Sequence, residues 1–182
     1  MCLAGLVAFP VLGYAQWIDT GEEAPPAEQP PNPEWEKYAF ELPYADDSGT
    51  LSFEELARSD QPFVLFFWLN DCPVCHLQLP YVQRLLLDIE EYNLDLRLVS
   101  ICLDRDPRDC QRLMEEKELT FEVLSDRNAQ RTDEPFHLSE LRTPLTYVFD
   151  SGGELVDYLT GFRSAYTKTI LRMLDIELTA EP

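Results

Sequence analysis

The stretch FVLFFWLNDCPVCHLQLP, residues 63–80, carries the clearest signals of secondary structure in the chain. Its first six residues are all apolar, without the alternation of a half-exposed strand, so we predict a strand buried on both faces of its sheet. A helix is predicted directly after it, because Pro73 suits the first helical position, where its missing N–H costs nothing. We expect this helix to run from Val74 to Tyr92, with a kink or an early end at Pro80. Its apolar stripe is predicted at a spacing of four residues, from Leu77, Tyr81, Leu85 and Ile89.

Strand and helix signals alternate along the rest of the chain, which predicts an α/β domain. A second inner strand is expected at 94–103, and Asp106-Pro107 opens a helix that runs to about Lys117. Residues 38–56 form a predicted β-hairpin around the turn-rich tetrad Asp46–Gly49. The later segments are a short strand at 121–124, a polar irregular segment at 126–142, a strand at 145–149, a hairpin strand at 154–160 and an amphipathic helix at 166–176.

The N-terminal segment carries the pattern of a targeting sequence. Residues 1–18 hold no charged residue until Asp19, and Gly13-Tyr14-Ala15 suits cleavage of a signal peptide after Ala15. The alternatives are an uncleaved membrane anchor and a buried N-terminal segment. Residues 16–37 are rich in proline and acidic residues, so we assign them to an extended linker, and we assign residues 38–178 to the folded domain.

Length and charge limit the classes of function. A chain of 182 residues suits one ordinary domain with short flanks. Its formal net charge of −20 repels phosphate backbones, which argues against nucleic-acid binding and disfavours an anionic membrane surface. Protein partners remain open.

The motif Cys72-Pro73-Val74-Cys75 lies between the predicted buried strand and the predicted helix. A C-x-x-C pair in this position predicts a redox-active site. Free N–H groups and the helix dipole at a helix N-terminus stabilise a thiolate, so they favour Cys72 as the attacking group. The carboxylate of Asp71 acts in the opposite direction, because a neighbouring negative charge raises the pKa of a thiol. Cys75 would then attack the mixed disulfide and release the reduced partner.

A second segment is expected to face this pair. Thr143-Pro144 comes directly before a predicted strand, and we expect a cis peptide bond there, packed against the cysteines. The backbone before a cis proline can pair with an extended substrate chain.

The run at 63–80, the segment Thr143–Asp150 followed by Gly152-Gly153, and the hairpin at 38–56 resemble the TlpA-like branch of the thioredoxin superfamily. The resemblance covers residues 38–176. It implies a thioredoxin fold, with a central mixed sheet flanked by helices and an N-terminal β-hairpin extension. It also implies a thiol-disulfide oxidoreductase that reduces disulfides in extracytoplasmic proteins, in the periplasm or an equivalent compartment. No cofactor and no metal are implied.

The resemblance also assigns roles to residues. It implies Cys72 as nucleophile, Cys75 as resolving thiol and Pro144 as the cis proline, while Trp68 matches the family tryptophan. Expected partners are disulfide-bearing or dithiol protein substrates and a redox partner protein, which could be membrane-bound. The residues expected to tune the site are Pro73, Val74, Asp71 and Trp68, and those expected to bind substrate are Thr143 and Pro144.

This chain departs from the family pattern at two positions. Asp71 stands where the family commonly has tryptophan, and Leu65 stands where thioredoxins have a buried acid. Proton transfer to or from Cys75 therefore lacks an obvious partner, and the direction of electron flow stays open.

Several alternatives compete with redox catalysis. A copper chaperone could use the same two cysteines together with a histidine, although such chaperones resemble a C-x-x-x-C pattern. The letters C-x-x-C-H also match a c-type haem attachment motif. No second C-x-x-C completes a zinc site. A peroxidase of the peroxiredoxin type is excluded, because Leu65 and Leu69 occupy the places of its required Pro and Thr or Ser. The ligands that the haem alternative would need are His76 on the proximal side and His137, Met114 or Met173 on the distal side.

The two remaining cysteines of the domain, Cys102 and Cys110, are predicted to form a second disulfide. The alternative is a pair of separate buried thiols, because cysteine is often a small core residue. We expect the acidic surface to serve mainly solubility.

Overall fold

Strand β3, Phe63–Trp68, is the middle strand of a mixed five-stranded sheet. The computed structural model describes residues 34–178. The strands lie in the order β5-β4-β3-β6-β7; β4 and β5 run parallel to β3, whereas β6 is antiparallel to both β3 and β7. The other strands of this sheet are β4 at Arg97–Cys102, β5 at Glu122–Ser125, β6 at Leu145–Phe149 and β7 at Leu155–Thr160.

All six residues of β3 are buried, as the unbroken apolar run predicts. Successive side chains of a strand point to opposite faces, so they enter two different cores. Phe63, Leu65 and Phe67 belong to one hydrophobic cluster. Val64, Phe66 and Trp68 belong to the other. The continuous run therefore reflects a strand that is covered on both sides.

Helices cover both faces of the sheet. On the face of Val64 and Trp68, the core includes side chains of α2, Pro73–Glu91, of α3, Pro107–Glu116, and of α5, Tyr166–Met173. On the opposite face lie α1, Phe53–Ala57, α4, Asp133–Phe136, and a 3-10 helix at Glu34–Tyr38. The expected α/β architecture is confirmed.

The expected N-terminal hairpin is confirmed too. Strands β1, Glu41–Pro43, and β2, Thr50–Ser52, form a separate antiparallel two-stranded sheet. Ser52 then caps α1 through a reciprocal capping box with Glu55. Just beyond β1, the Ala45 N–H donates to the Val123 carbonyl oxygen at 2.8 Å, which ties the hairpin to the edge of the main sheet.

The predicted stripe of α2 is wrong in its first half. Leu77 is 61% exposed and Tyr81 is 36% exposed, whereas Cys75, Leu79 and Val82 are fully buried. A helix turns by about 100° per residue, so a spacing of exactly four residues drifts by about 40° at each step. Of the two alternatives predicted at Pro80, a kink or an early end, the early end is wrong, because Pro80 lies inside a helix that runs on to Glu91.

The folded part begins earlier than we predicted. The 3-10 helix at Glu34–Tyr38 lies partly in the segment assigned to the linker. The Trp35 ring packs against Phe53, with ring centroids 6.4 Å apart, so an apolar contact anchors the chain before Tyr38. The signal peptide or anchor at 1–15 and most of the linker at 16–37 lie outside the described residues. Between residues 34 and 178, no helix is both long enough and apolar enough to cross a bilayer.

The segment at 126–142, predicted to be irregular and polar, contributes to the core. It contains a short 3-10 helix at Arg127–Ala129 as well as α4. Phe136 is fully buried, and its ring lies 4.8 Å from that of Phe67. One buried aromatic side chain therefore anchors a segment that is polar on average.

Gly153 is expected to tolerate no side chain. Its φ is +79°, and an added Cβ would lie 2.6 Å from the Cβ of Ala57. Gly161 has a similar φ of +70° but open space around it. We expect Gly153→Ala to lower the free energy of unfolding by about 2–4 kcal/mol, from backbone strain plus overpacking, and Gly161→Ala by about 1–2 kcal/mol, from strain alone. Urea unfolding of both variants checks this, and equal losses would contradict it.

Candidate active site

Cys72 is the N-cap residue of α2, separated from the end of β3 by three residues. Its backbone is extended, with φ −115° and ψ 101°, and Pro73 follows in the first turn of the helix. The Cys75 N–H donates to the Cys72 Sγ at 3.1 Å. An otherwise unpaired amide at the helix N-terminus thus points at the sulfur, and the same geometry would stabilise a thiolate after reduction.

Cys72 and Cys75 form a disulfide, with their Cα atoms 5.1 Å apart. The two sulfurs differ in access. Cys75 is fully buried, whereas Cys72 is only partly buried. Only Cys72 is therefore placed to meet a large partner.

The peptide bond between Thr143 and Pro144 is cis, as expected. The Thr143 carbonyl oxygen lies 3.8 Å from the Cys72 Sγ, so this segment and the cysteine pair meet although Thr143 and Cys72 are 71 positions apart in sequence. Pro144 is buried and Thr143 is partly buried. The geometry brings together the four residues that sequence reasoning assigned to chemistry and substrate binding.

The residues expected to tune the site lie in different environments. Asp71 is exposed beside Cys72, and Val74 is 42% exposed on the first turn of α2. Trp68, in contrast, is fully buried in the cluster that contains Cys75, and its Nε1 donates to the Ser100 Oγ at 3.2 Å. Trp68 therefore forms part of the core beneath the cysteine pair and has no exposed surface.

Leu65 does not lie on the side of the sheet that carries Cys75. Its side chain belongs to the opposite hydrophobic cluster. Position 65 therefore provides no polar group for proton transfer to Cys75.

An acidic residue that sequence reasoning did not select, Asp104, lies beside the loop that leads to Cys72. Its Oδ2 accepts a hydrogen bond from the Asn70 N–H at 2.7 Å. Burial raises the pKa of the Asp104 carboxyl; the Asn70 N–H and His76 oppose this shift, while Asp109 and Asp71 add to it. Asp104 comes just after β4, and the carboxyl end of β4 lies beside that of β3. This position could have predicted that Asp104 lies near the loop before Cys72.

Cys102 and Cys110 form a second disulfide, with their Cα atoms 6.3 Å apart, and both are fully buried. Among residues 34–178, one group of three His, Cys, Asp or Glu side chains has donor atoms close enough to share a metal ion, within 4.8 Å of one another. This group is Cys102, Asp104 and Cys110. Their sulfurs are bonded to each other, so no thiolate is present for a metal in this state.

The histidines do not extend the cysteine pair into a metal or haem site. The His76 Nε2 lies 2.6 Å from the Asn70 carbonyl oxygen, so this ring nitrogen is already engaged in a hydrogen bond. His137 is exposed at the C-terminus of α4, in a cleft with Tyr38 and Tyr158. Within the described part of the chain, neither histidine contacts a sulfur of Cys72 or Cys75, so the copper and haem alternatives gain no support.

An apolar surface extends from the cysteine motif along α2. It comprises Val74, Leu77, Tyr81 and Phe162, each at least 36% exposed. The rings of Tyr81 and Phe162 meet edge to face, with centroids 5.3 Å apart. Sequence reasoning placed Leu77 and Tyr81 in the core, so it missed this surface.

The AhpC/TSA family model matches residues 33–158, which include all four cysteines of the folded domain. A curated relative is the thiol-disulfide oxidoreductase ResA of Oceanobacillus iheyensis, which is 26% identical over 115 residues. The matched region covers 63% of this chain and 56% of that relative.

Solved structures with similar folds include a secreted disulfide oxidoreductase of Mycobacterium tuberculosis, with a TM-score of 0.61 and 16% identity, where the match covers 76% of this chain and 96% of that one. StoA of Bacillus subtilis matches with a TM-score of 0.57 and 19% identity, over 71% of this chain and 92% of that one. These neighbours confirm the thioredoxin-like fold.

Replacing Asp71 tests the electrostatics of the site. We expect Asp71→Asn to speed the alkylation of reduced Cys72 at pH 7 by about two- to threefold, because it removes a negative charge that opposes thiolate formation. Glu90→Gln is the matched control: it removes a charge from the far end of the same helix, about 27 Å away and well beyond the screening length. Equal alkylation rates for Asp71→Asn and the unmodified chain would show that the charge of Asp71 does not affect the reactivity of Cys72.

Proposed function

Because the chain belongs to the AhpC/TSA family, we propose that its CPVC motif makes it a thiol-disulfide oxidoreductase that reduces disulfides in extracytoplasmic protein substrates. The observation that carries the proposal is the position of Cys72. Its sulfur lies at the N-terminus of α2, partly accessible, 3.1 Å from a helix amide nitrogen and 3.8 Å from the backbone before a cis proline. These are the features that thiol-disulfide exchange needs.

The proposed reaction has two steps. First, the Cys72 thiolate attacks one sulfur of the substrate disulfide; an S–S bond forms between Cys72 and the substrate, and the other substrate sulfur leaves as a thiolate. Second, Cys75 loses its proton and attacks the Cys72 sulfur, which breaks the mixed disulfide and releases the second substrate thiolate. Two electrons pass to the substrate, and the enzyme is left with the Cys72–Cys75 disulfide.

The buried position of Cys75 suits the second role. A substrate sulfur that is bonded to Cys72 lies outside the domain, whereas Cys75 reaches Cys72 from within, one turn along the same helix. Resolution is then intramolecular, and its rate does not depend on a second encounter.

Substrate recognition is proposed to use the backbone at Thr143 and the apolar surface beside it. An extended substrate segment can pair with the chain before Pro144, because the carbonyl of Thr143 faces Cys72. Exposed side chains at Val74 and Leu77 offer apolar contacts to residues that flank the substrate cysteine. Recognition through backbone pairing and apolar contacts does not require one particular sequence around the substrate cysteine.

An extracytoplasmic setting is supported by the second disulfide, because disulfides such as Cys102–Cys110 persist in oxidising compartments. We propose that the N-terminal segment is either removed as a signal peptide or kept as a membrane tether, with the residues up to 33 as a spacer. A reductase in this setting requires a redox partner protein, free or membrane-bound, to return two electrons to Cys75 and Cys72.

Serine variants of the two cysteines test the mechanism with different readouts. With dithiothreitol as electron donor and insulin as disulfide substrate, Cys72→Ser is expected to lose turnover to the uncatalysed level. Cys75→Ser is also expected to lose turnover, but it should accumulate a mixed disulfide between Cys72 and a substrate chain, visible by mass spectrometry. Full turnover of Cys72→Ser would overturn the mechanism, and accumulation of the adduct on Cys75 in Cys72→Ser would reverse the two roles.

A further inference from the structure

Asp104 lies between the second disulfide and the loop that enters the active-site helix. Strands β3 and β4 run parallel, with Trp68 opposite Cys102, and the Leu103 N–H continues their ladder by donating to the Trp68 carbonyl oxygen at 2.9 Å. Beyond that point both chains leave the sheet. The side chain of Asp104 therefore meets the Leu69–Asp71 loop at the carboxyl ends of the two strands.

This contact fixes the backbone two residues before Cys72. The Asn70 N–H donates to the Asp104 Oδ2 at 2.7 Å, and the Asn70 carbonyl oxygen lies 2.6 Å from the His76 Nε2. A carbonyl only accepts, so the His76 Nε2 is the donor. Both polar backbone groups of Asn70 are therefore held by side chains, one from Asp104 just after β4 and one from His76 in α2, the helix that the loop enters.

The second disulfide in turn restrains Asp104. Cys102 and Cys110 close a short segment that contains Asp104, because the two cysteines are only eight positions apart in sequence. The Asp104 Oδ2 lies 3.1 Å from the Cys102 Sγ and 3.7 Å from the Cys110 Sγ. The carboxylate thus packs against the cross-link and has little freedom to leave Asn70.

We propose that Asp104 is a positioning residue, which transmits the restraint of the Cys102–Cys110 disulfide to the active-site loop and thereby sets the reactivity of Cys72. This inference rests on the proposed function and concerns the regulation of the same site. Thiolate stabilisation depends on the N-cap geometry of Cys72, in which its sulfur lies 3.1 Å from the Cys75 nitrogen. A loop released from Asp104 holds this geometry less well, so the thiolate loses part of its stabilisation.

Two uncharged variants of Asp104 separate the hydrogen bond from the charge. Asp104→Asn keeps an oxygen that can accept the Asn70 N–H, whereas Asp104→Ala does not, and both lack the negative charge. Relative to Asp104→Asn, we expect Asp104→Ala to slow the alkylation of Cys72 at pH 7 at least threefold. The equilibrium with glutathione should also shift at least threefold toward the Cys72–Cys75 disulfide, because the reduced form is less stable.

Tryptic peptides allow these measurements on the full chain. The arginines at 58, 84, 97, 105, 108 and 112 place the Cys72–Cys75 pair, Cys102 and Cys110 on three separate peptides. Asp109→Asn is the control for charge, since it removes a neighbouring carboxylate that does not contact Asn70, and we expect it to change either quantity less than twofold. If Asp104→Ala fails to fold, Asp104→Leu takes its place, with a similar shape and no acceptor.

The coupling to the disulfide is tested in a Cys102→Ala/Cys110→Ala background. There the difference between Asp104→Ala and Asp104→Asn is expected to fall below twofold, because the restraint on residue 104 is gone. The inference is overturned if Asp104→Ala and Asp104→Asn show the same alkylation rate and the same glutathione equilibrium in the chain that keeps the second disulfide. It is also overturned if the full difference between these two variants persists in the Cys102→Ala/Cys110→Ala background. If the unmodified chain exchanges thiols normally in either of these cases, the proposed function stands. Absence of any reversible Cys72–Cys75 disulfide in the unmodified chain overturns both.

Discussion

The start of α2 immediately beyond a buried strand is the constraint on which the site depends. Strand β3 fixes the direction of the chain, three loop residues turn it, and Cys72 then caps the helix with its sulfur 3.1 Å from the Cys75 nitrogen. A helix N-terminus can stabilise a negative charge by up to about 2 kcal/mol in favourable geometries. The backbone at the start of α2 thus contributes to stabilising a reactive thiolate at Cys72.

Packed side chains of the surrounding core support this geometry. Cys75 and Trp68 lie fully buried in the same core as α5, so the cysteine pair rests on packed side chains. The strand that follows the cis proline is held to α5 as well, because the Thr146 and Tyr166 hydroxyls lie 2.9 Å apart. Burial raises the pKa of Tyr166 above its ordinary value, so this hydroxyl is protonated throughout the physiological pH range.

The sequence was most informative where burial imposes a simple pattern. The unbroken run of β3 predicted a strand covered on both faces, and Cys72-Pro73 predicted the start of α2, because each signal depends on a local rule. The exposure of Leu77 and Tyr81 was not predicted, because a spacing of four residues hides the gradual rotation of a helix face. Phe136 was missed because a single buried aromatic in a polar segment has no periodicity.

Asp104 shows the limit of reasoning from local pattern. Its partners are Asn70, which lies 34 residues earlier in the sequence, and the sulfurs of Cys102 and Cys110. Only the parallel register of β3 and β4 brings these groups together, and register is not visible in one sequence. In the same way, the meeting of Thr143 with Cys72 follows from the resemblance to a family and from the fold, and not from spacing.

The reduction potential of the Cys72–Cys75 pair distinguishes a reductase from an oxidant and shows whether the pair is redox-active at all. The chain would be equilibrated in glutathione or dithiothreitol buffers, alkylated, and read by mass on the tryptic peptide that carries both cysteines. For a reductase we expect a reversible two-electron couple near the roughly −270 mV of thioredoxin. A potential near the roughly −120 mV of DsbA would contradict the reductive direction, and the absence of any reversible disulfide would contradict the account as a whole.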